Sequence, residues 1–193
     1  PGINYGETIE EEVTPRDFGR VAAATAKQVV VQKIREAERD SIVSEFASKE
    51  NEMMSGIVAM EDARNYYIAL SKAQGILPKT EIIPGETIKM GSNIKVYISK
   101  VESTSKGPLI LLSRTHYGLV KRLFELEIPE INEGIILVYS VAREAGVRTK
   151  IAVMSENSRV DAVGSCIGEK GSRINRISDE LNGEKIDVRS EER

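Results

Sequence analysis

The chain has 193 residues, 40% of them hydrophobic and 30% charged, with a formal net charge of −3. This content suffices for two small cores and a long helix, and no apolar run approaches the roughly 18 residues of a membrane span. One cysteine, Cys166, and one histidine, His116, provide no internal disulfide, metal-ligand cluster or nucleophile–base pair. No Walker loop or paired-carboxylate motif occurs. We therefore expect no catalytic residues, no metal and no cofactor, so the chain is not expected to be an enzyme.

Residues 1–50 predict the end of a strand followed by one long helix. The strand covers Glu7 to Val13, and Thr14-Pro15-Arg16-Asp17 has the hydroxyl cap, early proline and acid that begin a helix. Apolar residues then recur every three or four positions without an interior proline, at Phe18, Val21, Ala22, Thr25, Val29, Ile34, Ala37, Ile42 and Phe46. At 1.5 Å per residue the helix is about 45 Å long. Its apolar stripe needs a cover, either from the next domain or from a preceding one.

Residues 51–116 predict a small β-barrel, because short β-rich runs alternate with Gly and Pro. The predicted strands are Gly56 to Met60, Tyr66 to Leu70, Gly75 to Pro78, Asn93 to Val101 and Leu109 to Ser113. This order, with the phrases Gly75-Ile76-Leu77-Pro78 and Leu112-Ser113-Arg114, resembles an S1 domain of the OB type. The resemblance implies a barrel that binds single-stranded RNA.

The predicted S1 face departs from the usual pattern of two exposed aromatics and a histidine. Tyr67 holds one aromatic position, whereas Arg64 and Pro78 stand where the other aromatic and the histidine are expected. Tyr66 and Tyr67 must point to opposite sides of a strand, so one packs in the core and the other meets solvent. We therefore predict weak RNA binding by this face, with Tyr67 as its one candidate contact.

Residues 117–193 predict the layout α-β-β-α-α-β, which resembles a type II KH domain. The elements are a helix from Tyr117, strands Ile135 to Val141 and Lys150 to Met154, helices Asp161 to Ile167 and Ser172 to Leu181, and a strand Lys185 to Val188. A loop from Ala142 to Arg148 joins the first two strands, with Gly146 at its tip. Asn182-Gly183 ends the last helix with a pair suited to left-handed backbone. The predicted fold class of the whole chain is thus α+β and multidomain.

Gly168-Glu169-Lys170-Gly171 lies between the two short helices, where a KH module grips an RNA backbone. Glycines allow a phosphodiester close to the main chain, amides at the start of the next helix meet phosphates, and bases lie on apolar atoms. The predicted RNA contacts are Gly168, Glu169, Lys170, Gly171, Ser172, Arg173, Arg176, Ile167, Ile174 and Tyr67. The alternative makes the glycines helix punctuation and the aliphatics core, and core packing is the main role expected of Ile167 and Ile174.

Longer phrases spread over the chain resemble the NusA family of bacterial transcription factors. They include Asp17-Phe18-Gly19-Arg20, Arg35-Glu36-Ala37-Glu38-Arg39, Ile128-Pro129-Glu130-Ile131 and Ser140-Val141-Ala142-Arg143-Glu144-Ala145-Gly146. The resemblance implies a cytoplasmic protein that contacts nascent single-stranded RNA and RNA polymerase, and that modulates pausing, termination and antitermination. Other antitermination factors are further implied partners, and a membrane is not.

Against the family pattern, most of the polymerase-binding amino-terminal domain and a second KH module are missing. We expect the chain to be a fragment, with weaker RNA binding than two linked KH modules would have. Lys and Arg outnumber Asp and Glu only in residues 53–116. RNA binding through local, salt-sensitive patches is therefore expected.

Two alternatives from other functional classes remain open. One is an RNA-binding appendage of a nuclease such as polynucleotide phosphorylase, in which KH precedes S1, whereas here S1 comes first. The other is a protein-interaction scaffold whose modules have lost RNA binding, an alternative consistent with the altered S1 face. Binding of single-stranded RNA at two salt concentrations separates the scaffold from an RNA-binding factor.

Overall fold

A computed structural model describes residues 16–191, with side chains from Gly19 onward. The helices are α1 (Arg16–Ala47), α2 (Tyr117–Glu127), α3 (Pro129–Asn132), α4 (Ala162–Ile167) and α5 (Ser172–Glu180). The strands are β1 (Met53–Glu61), β2 (Asn65–Ala69), β3 (Gln74–Pro78), β4 (Asn93–Thr104), β5 (Gly107–Ser113), β6 (Ile136–Glu144), β7 (Arg148–Ser155) and β8 (Lys185–Ser190). The predicted α+β fold class is confirmed, with a long helix, a five-stranded barrel and a KH-like region in that order.

Helix α1 has 32 residues, which at 1.5 Å per residue gives about 48 Å, close to the predicted length. Near its end Phe46 is fully buried, and Ile42 packs partly buried against the same core as the barrel strands. Farther up the helix, Val21, Val29 and Ile34 are exposed. The predicted strand before the helix and its hydroxyl cap lie outside the described residues.

Strands β1 to β5 close into a barrel in the order β1-β2-β3-β5-β4. A parallel contact between Ile76 on β3 and Leu111 on β5 completes the closure, which leaves no unpaired sheet edge. The side chains that point inward are apolar and mostly branched: Val58, Tyr66, Ile68, Leu77, Val96, Ile98, Ile110 and Leu112. Burying each large aliphatic side chain stabilises the fold by about 1.5–3 kcal/mol.

The KH-like region pairs β6 with β7 antiparallel and β7 with β8 parallel. Buried residues of α2 and α5 share one core with inward residues of the sheet: Leu119, Val120, Leu123, Phe124, Ile136, Ile151, Val153, Ile177 and Leu181. A parallel strand pair needs a crossover connection, and α4 and α5 supply it. This connection presents the tetrad Gly168–Gly171 between two helix ends.

The predicted seven-residue loop between β6 and β7 is mostly strand. β6 continues to Glu144 and β7 begins at Arg148, so a tight turn remains, with Gly146 at φ +79°. The predicted loop was too long, because Arg143, which it included, pairs within the sheet as part of β6. Its guanidinium is instead buried, where it donates to the Glu184 carboxylate and to the His116 carbonyl at 2.8 Å.

Between residues 16 and 191, none of the helices combines the length and the apolar character needed to cross a bilayer.

Candidate nucleic-acid interface

The tetrad between α4 and α5 adopts a backbone that requires glycine at its first position and favours glycine at its last. Gly168 has φ 76° and ψ 175°, a combination that is essentially restricted to glycine, and Gly171 is left-handed at φ 76° and ψ 17°. Lys170 is also left-handed, at φ 53°. A side chain at Gly168 is strained by the backbone alone, and Gly168 also ends α4 with its amide bonded to the Gly164 carbonyl, so both predicted roles need glycine here.

Both glycines also lie close to α5. A Cβ atom at Gly168 would lie 2.8 Å from Cγ of Arg173 and 3.0 Å from the Ser172 hydroxyl, whereas one at Gly171 would meet the Asn175 amide at 3.3 Å. The first distance is shorter than real Cβ contacts, so any substitution at Gly168 must shift α5. Gly171 tolerates a side chain better, because Asp and Asn adopt left-handed backbone at modest cost.

Two main-chain amides of the tetrad have no acceptor among the described residues. The Gly168 amide donates to the Gly164 carbonyl at 2.9 Å, the Gly171 amide to the Gly168 carbonyl at 3.2 Å, and the Ser172 amide to the Glu169 carbonyl. Only the amides of Glu169 and Lys170 remain open. The predicted phosphate-binding donors lie at the start of α5, and these two open donors directly precede them in the chain. Exposed amides in a tight turn form a concave site for an oxygen anion.

The three predicted cations around the tetrad differ in availability. Lys170 is exposed and forms no ion pair with the described residues. The Arg176 side chain is 70% exposed and reaches Glu127 at 3.7 Å. Arg173 passes beside Gly168, and its guanidinium donates to the Glu130 carboxylate at 2.7 Å and the Ser165 carbonyl at 2.8 Å. Arg173 therefore links α5 to α3 and α4, and Lys170 is the free cation at the turn.

Carboxylates line the other side of the turn. A cleft of about 520 Å³ beside Gly168 contains Glu130, Asp161 and Glu169 together with the hydroxyls of Ser165 and Ser172. Within residues 16–191 there is no group of His, Cys, Asp and Glu side chains arranged to hold a metal ion. Arg173 lines the same cleft and pairs with Glu130 at 2.7 Å, so Asp161 and Glu169 are the carboxylates of this cleft without an ion pair among the described residues.

The aliphatic side chains near the tetrad divide between core and surface. Ile177 is fully buried and Ile174 packs partly buried against the KH core. Ile167 is 38% exposed and offers apolar surface next to the turn.

The neighbouring Cys166 is buried, and burial raises the pKa of its thiol to about 12, which keeps the sulfur protonated and unreactive.

Tyr67 on the barrel is half-buried, while Tyr66 packs in the core, as their alternation predicts. The Tyr67 hydroxyl donates to the Asp62 carboxylate at 2.6 Å, and the amides of Arg64 and Asn65 donate to the same side chain. The hydrogen bond from Tyr67 is the main cause that lowers the pKa of Asp62, and it raises the pKa of Tyr67. A charged carboxylate therefore accompanies the one aromatic of this face.

Comparison with known proteins identifies the same regions. A family model described as a NusA-like first KH domain matches residues 114–191, and one described as a NusA N-terminal domain matches residues 1–40. The chain is 54% identical over 188 residues to the transcription termination/antitermination protein NusA of Halalkalibacterium halodurans. That alignment covers 97% of this chain and 49% of the relative.

Two further relatives carry the same name. The Bacillus subtilis NusA is 54% identical, with 97% of this chain and 51% of the relative covered. The Thermus thermophilus NusA is 40% identical over 189 residues, with 97% of this chain and 49% of the relative covered. This chain belongs to the NusA family. It spans about half the length of the relatives it matches.

Sequence reasoning missed one feature of this NusA-family chain, the buried joint between barrel and KH-like region. Arg114, 2% exposed, follows β5 and donates to the Glu86 carboxylate, the Lys95 carbonyl and, at 2.9 Å, the Glu180 carbonyl at the end of α5. A buried guanidinium needs such partners to offset its desolvation. The phrase Leu112-Ser113-Arg114 contains this arginine, but the role of Arg114 depends on contacts with α5, which is distant in sequence.

His116 lies in the same joint. Its ring stacks between Tyr97 and Tyr117, with both ring centroids 4.5 Å away, and its Nδ1 accepts the Gly118 amide to cap α2. Burial lowers the pKa of His116, which favours the neutral ring that the cap requires. The only histidine thus has a structural role.

Proposed function

We propose that this chain binds single-stranded RNA at the tetrad Gly168–Gly171, as the RNA-contacting part of a factor that modulates transcription termination and antitermination. The observation that carries the proposal is the pair of open amides at Glu169 and Lys170, next to an exposed unpaired lysine. Backbone amides and a lysine suit the phosphate group, which all nucleotides share. Exposed atoms of Ile167 provide apolar surface for a base beside it.

Family membership supports a proposal for the cellular role. The relatives are named transcription termination/antitermination proteins. In this chain we propose contact with nascent RNA, an influence on polymerase pausing, and contact with RNA polymerase and other antitermination factors mainly through further parts of the protein. The chain acts by binding, without catalysis, in the cytoplasm. We also propose the domain limits 1–50, 51–116 and 117–193.

A titration of labelled single-stranded RNA tests the proposal. At about 50 and 200 mM salt, the wild-type affinity should fall with salt, because each neutralised phosphate of a single strand contributes about −0.7 to the slope. Gly171→Asp places a negative charge at the turn and should weaken binding about tenfold or more, and Lys170→Glu should do the same. Gly168→Asp is a poor probe, because the close contact with Arg173 makes loss of folding part of its effect.

Gly134→Asp is the matched control, because Gly134 is also left-handed, at φ +81°, and has open space around it in the same region. It adds the same charge and a similar backbone strain away from the tetrad. Equal affinity of folded Gly171→Asp and wild type would contradict the proposal. Absence of any salt-sensitive binding in the wild type would favour the protein-interaction scaffold.

A further inference from the structure

The sheet of the KH-like region has a second side that the helices do not cover. On β7, Thr149, Ile151 and Val153 point into the core, so the alternate residues Arg148 and Lys150 point to solvent. Lys185 at the start of β8 is exposed in the same way. We define the open sheet face as Arg148, Lys150, Lys185 and the exposed Tyr139 of β6.

The three cations of this face lie on neighbouring strand positions, and none of them is held in an ion pair within residues 16–191. The strand register places Arg148 directly opposite Lys185, and like charges in that arrangement destabilise a sheet. Lys150 lies opposite Asp187, but Arg189 already contacts that carboxylate at 3.3 Å. Glu144 lies opposite Arg148 on its other side. Nevertheless, none of the three cations forms an ion pair within residues 16–191.

Tyr139 adds an aromatic ring to the face. The pairing of β6 with β7 shifts register between Val138 and Ser140, which leaves Tyr139 in a bulge without a partner residue. The side chain is 64% exposed. From strand geometry, its Cα atom lies about 10 Å from that of Lys150. A single strand of RNA can reach both residues.

We propose that the open sheet face is a second contact surface for single-stranded RNA. Tyr139 stacks on a base, and Arg148, Lys150 and Lys185 contact phosphates. Cations combined with an exposed aromatic match the chemistry of single-stranded nucleic acid, which offers a negative backbone and flat bases together. The inference rests on the proposed RNA-binding function and extends it from one turn to both sides of the region.

Two RNA lengths separate the two surfaces. A five-nucleotide RNA is long enough for the tetrad alone, and a fifteen-nucleotide RNA is long enough for both. In the full chain, Arg148→Gln, Lys150→Gln and Lys185→Gln combined should leave the affinity for the short RNA within about twofold. The same triple variant should weaken binding of the long RNA about tenfold. Its salt slope should become shallower by about 2, from three lost phosphate contacts.

The matched control replaces three other exposed lysines, Lys89, Lys106 and Lys121, by Gln and so removes the same net charge. An unchanged affinity of the first triple variant for the long RNA, or an equal loss in the control, overturns the inference. Ultraviolet crosslinking of the long RNA to Tyr139 is a second readout, and crosslinks should disappear in Tyr139→Ser. Gly171→Asp distinguishes the two proposals: if it leaves both RNAs bound as in wild type, the tetrad proposal fails instead.

Discussion

In KH and S1 folds generally, the turn between the two short helices and the exposed aromatic face of the barrel contact RNA. In this chain the tetrad has unpaired polar groups among the described residues, whereas those near Tyr67 are hydrogen-bonded to carboxylates. At the tetrad two amides are open and Lys170 is unpaired. On the barrel the Tyr67 hydroxyl is held by Asp62, and Lys79 is held by Glu61 at 2.6 Å. A fold that resembles an RNA-binding module therefore does not by itself predict binding, which depends on donors and cations that are free to meet phosphate.

The largest expected effect concerns the joint that holds these two regions together. Arg114→Met removes the guanidinium from its buried contacts and leaves the Glu86 carboxylate without its main partner. We expect the free energy of unfolding to fall by about 3–5 kcal/mol, as for other broken buried ion pairs. Urea denaturation measures this loss. Under conditions where the variant remains folded, its affinity for the five-nucleotide RNA should match the wild type.

A matched comparison for the joint is Arg189→Met, because the Arg189 side chain is 66% exposed and pairs with Asp187 at 3.3 Å within β8. Exposed ion pairs contribute about 0–1 kcal/mol. Similar losses of stability in the two variants would mean that Arg114 does not hold the barrel and the KH-like region together.

A smaller effect is expected on the barrel face itself. Asp62→Asn removes a negative charge beside Tyr67 and should strengthen RNA binding about twofold or less, because one screened surface charge changes binding little. Tyr67→Ala should weaken it by less than about twofold, whereas a base stacked on an aromatic ring contributes about 1–3 kcal/mol. Fluorescence anisotropy with labelled RNA measures both variants. A tenfold loss in Tyr67→Ala would make the barrel face an RNA site equal to the tetrad.

The smallest effect is a pH dependence at His116. Because the folded pKa lies below the unfolded value, the unfolded state takes up a proton first, and stability falls as pH drops from about 6.5 toward the folded pKa. Chemical denaturation at a series of pH values between about 5 and 8 should show this decline. In His116→Asn, whose side-chain oxygen can cap α2, the decline should be weaker. An identical pH profile in both proteins would contradict the assignment.

The sequence predicted the order of elements and the position of the tetrad, because hydrophobic periodicity and glycine placement are local signals. It did not predict that Arg173 turns to Glu130 and Ser165, since a guanidinium beside a turn has several possible partners. The burial of Arg143 was also missed, because its partner Glu184 lies far along the chain. Local pattern identifies where polar residues occur, and long-range pairing decides which of them remain free.

The apolar stripe of α1 is also only partly explained by local pattern. Its periodicity predicted a buried face, and Ile42 and Phe46 confirm it next to the barrel. Val21, Val29 and Ile34 follow the same spacing and are exposed. Hydrophobic periodicity indicates that one face of a helix is apolar, but it does not identify what covers that face.

The parallel pairing of β7 with β8 has a consequence for the order of folding. Both short helices and the tetrad lie between these two strands in sequence, so pairing of the strands closes a loop over the whole intervening segment. Contacts between distant residues form slowly because the chain entropy of closure is lost first. The turn thus reaches its final geometry late in the folding of this region.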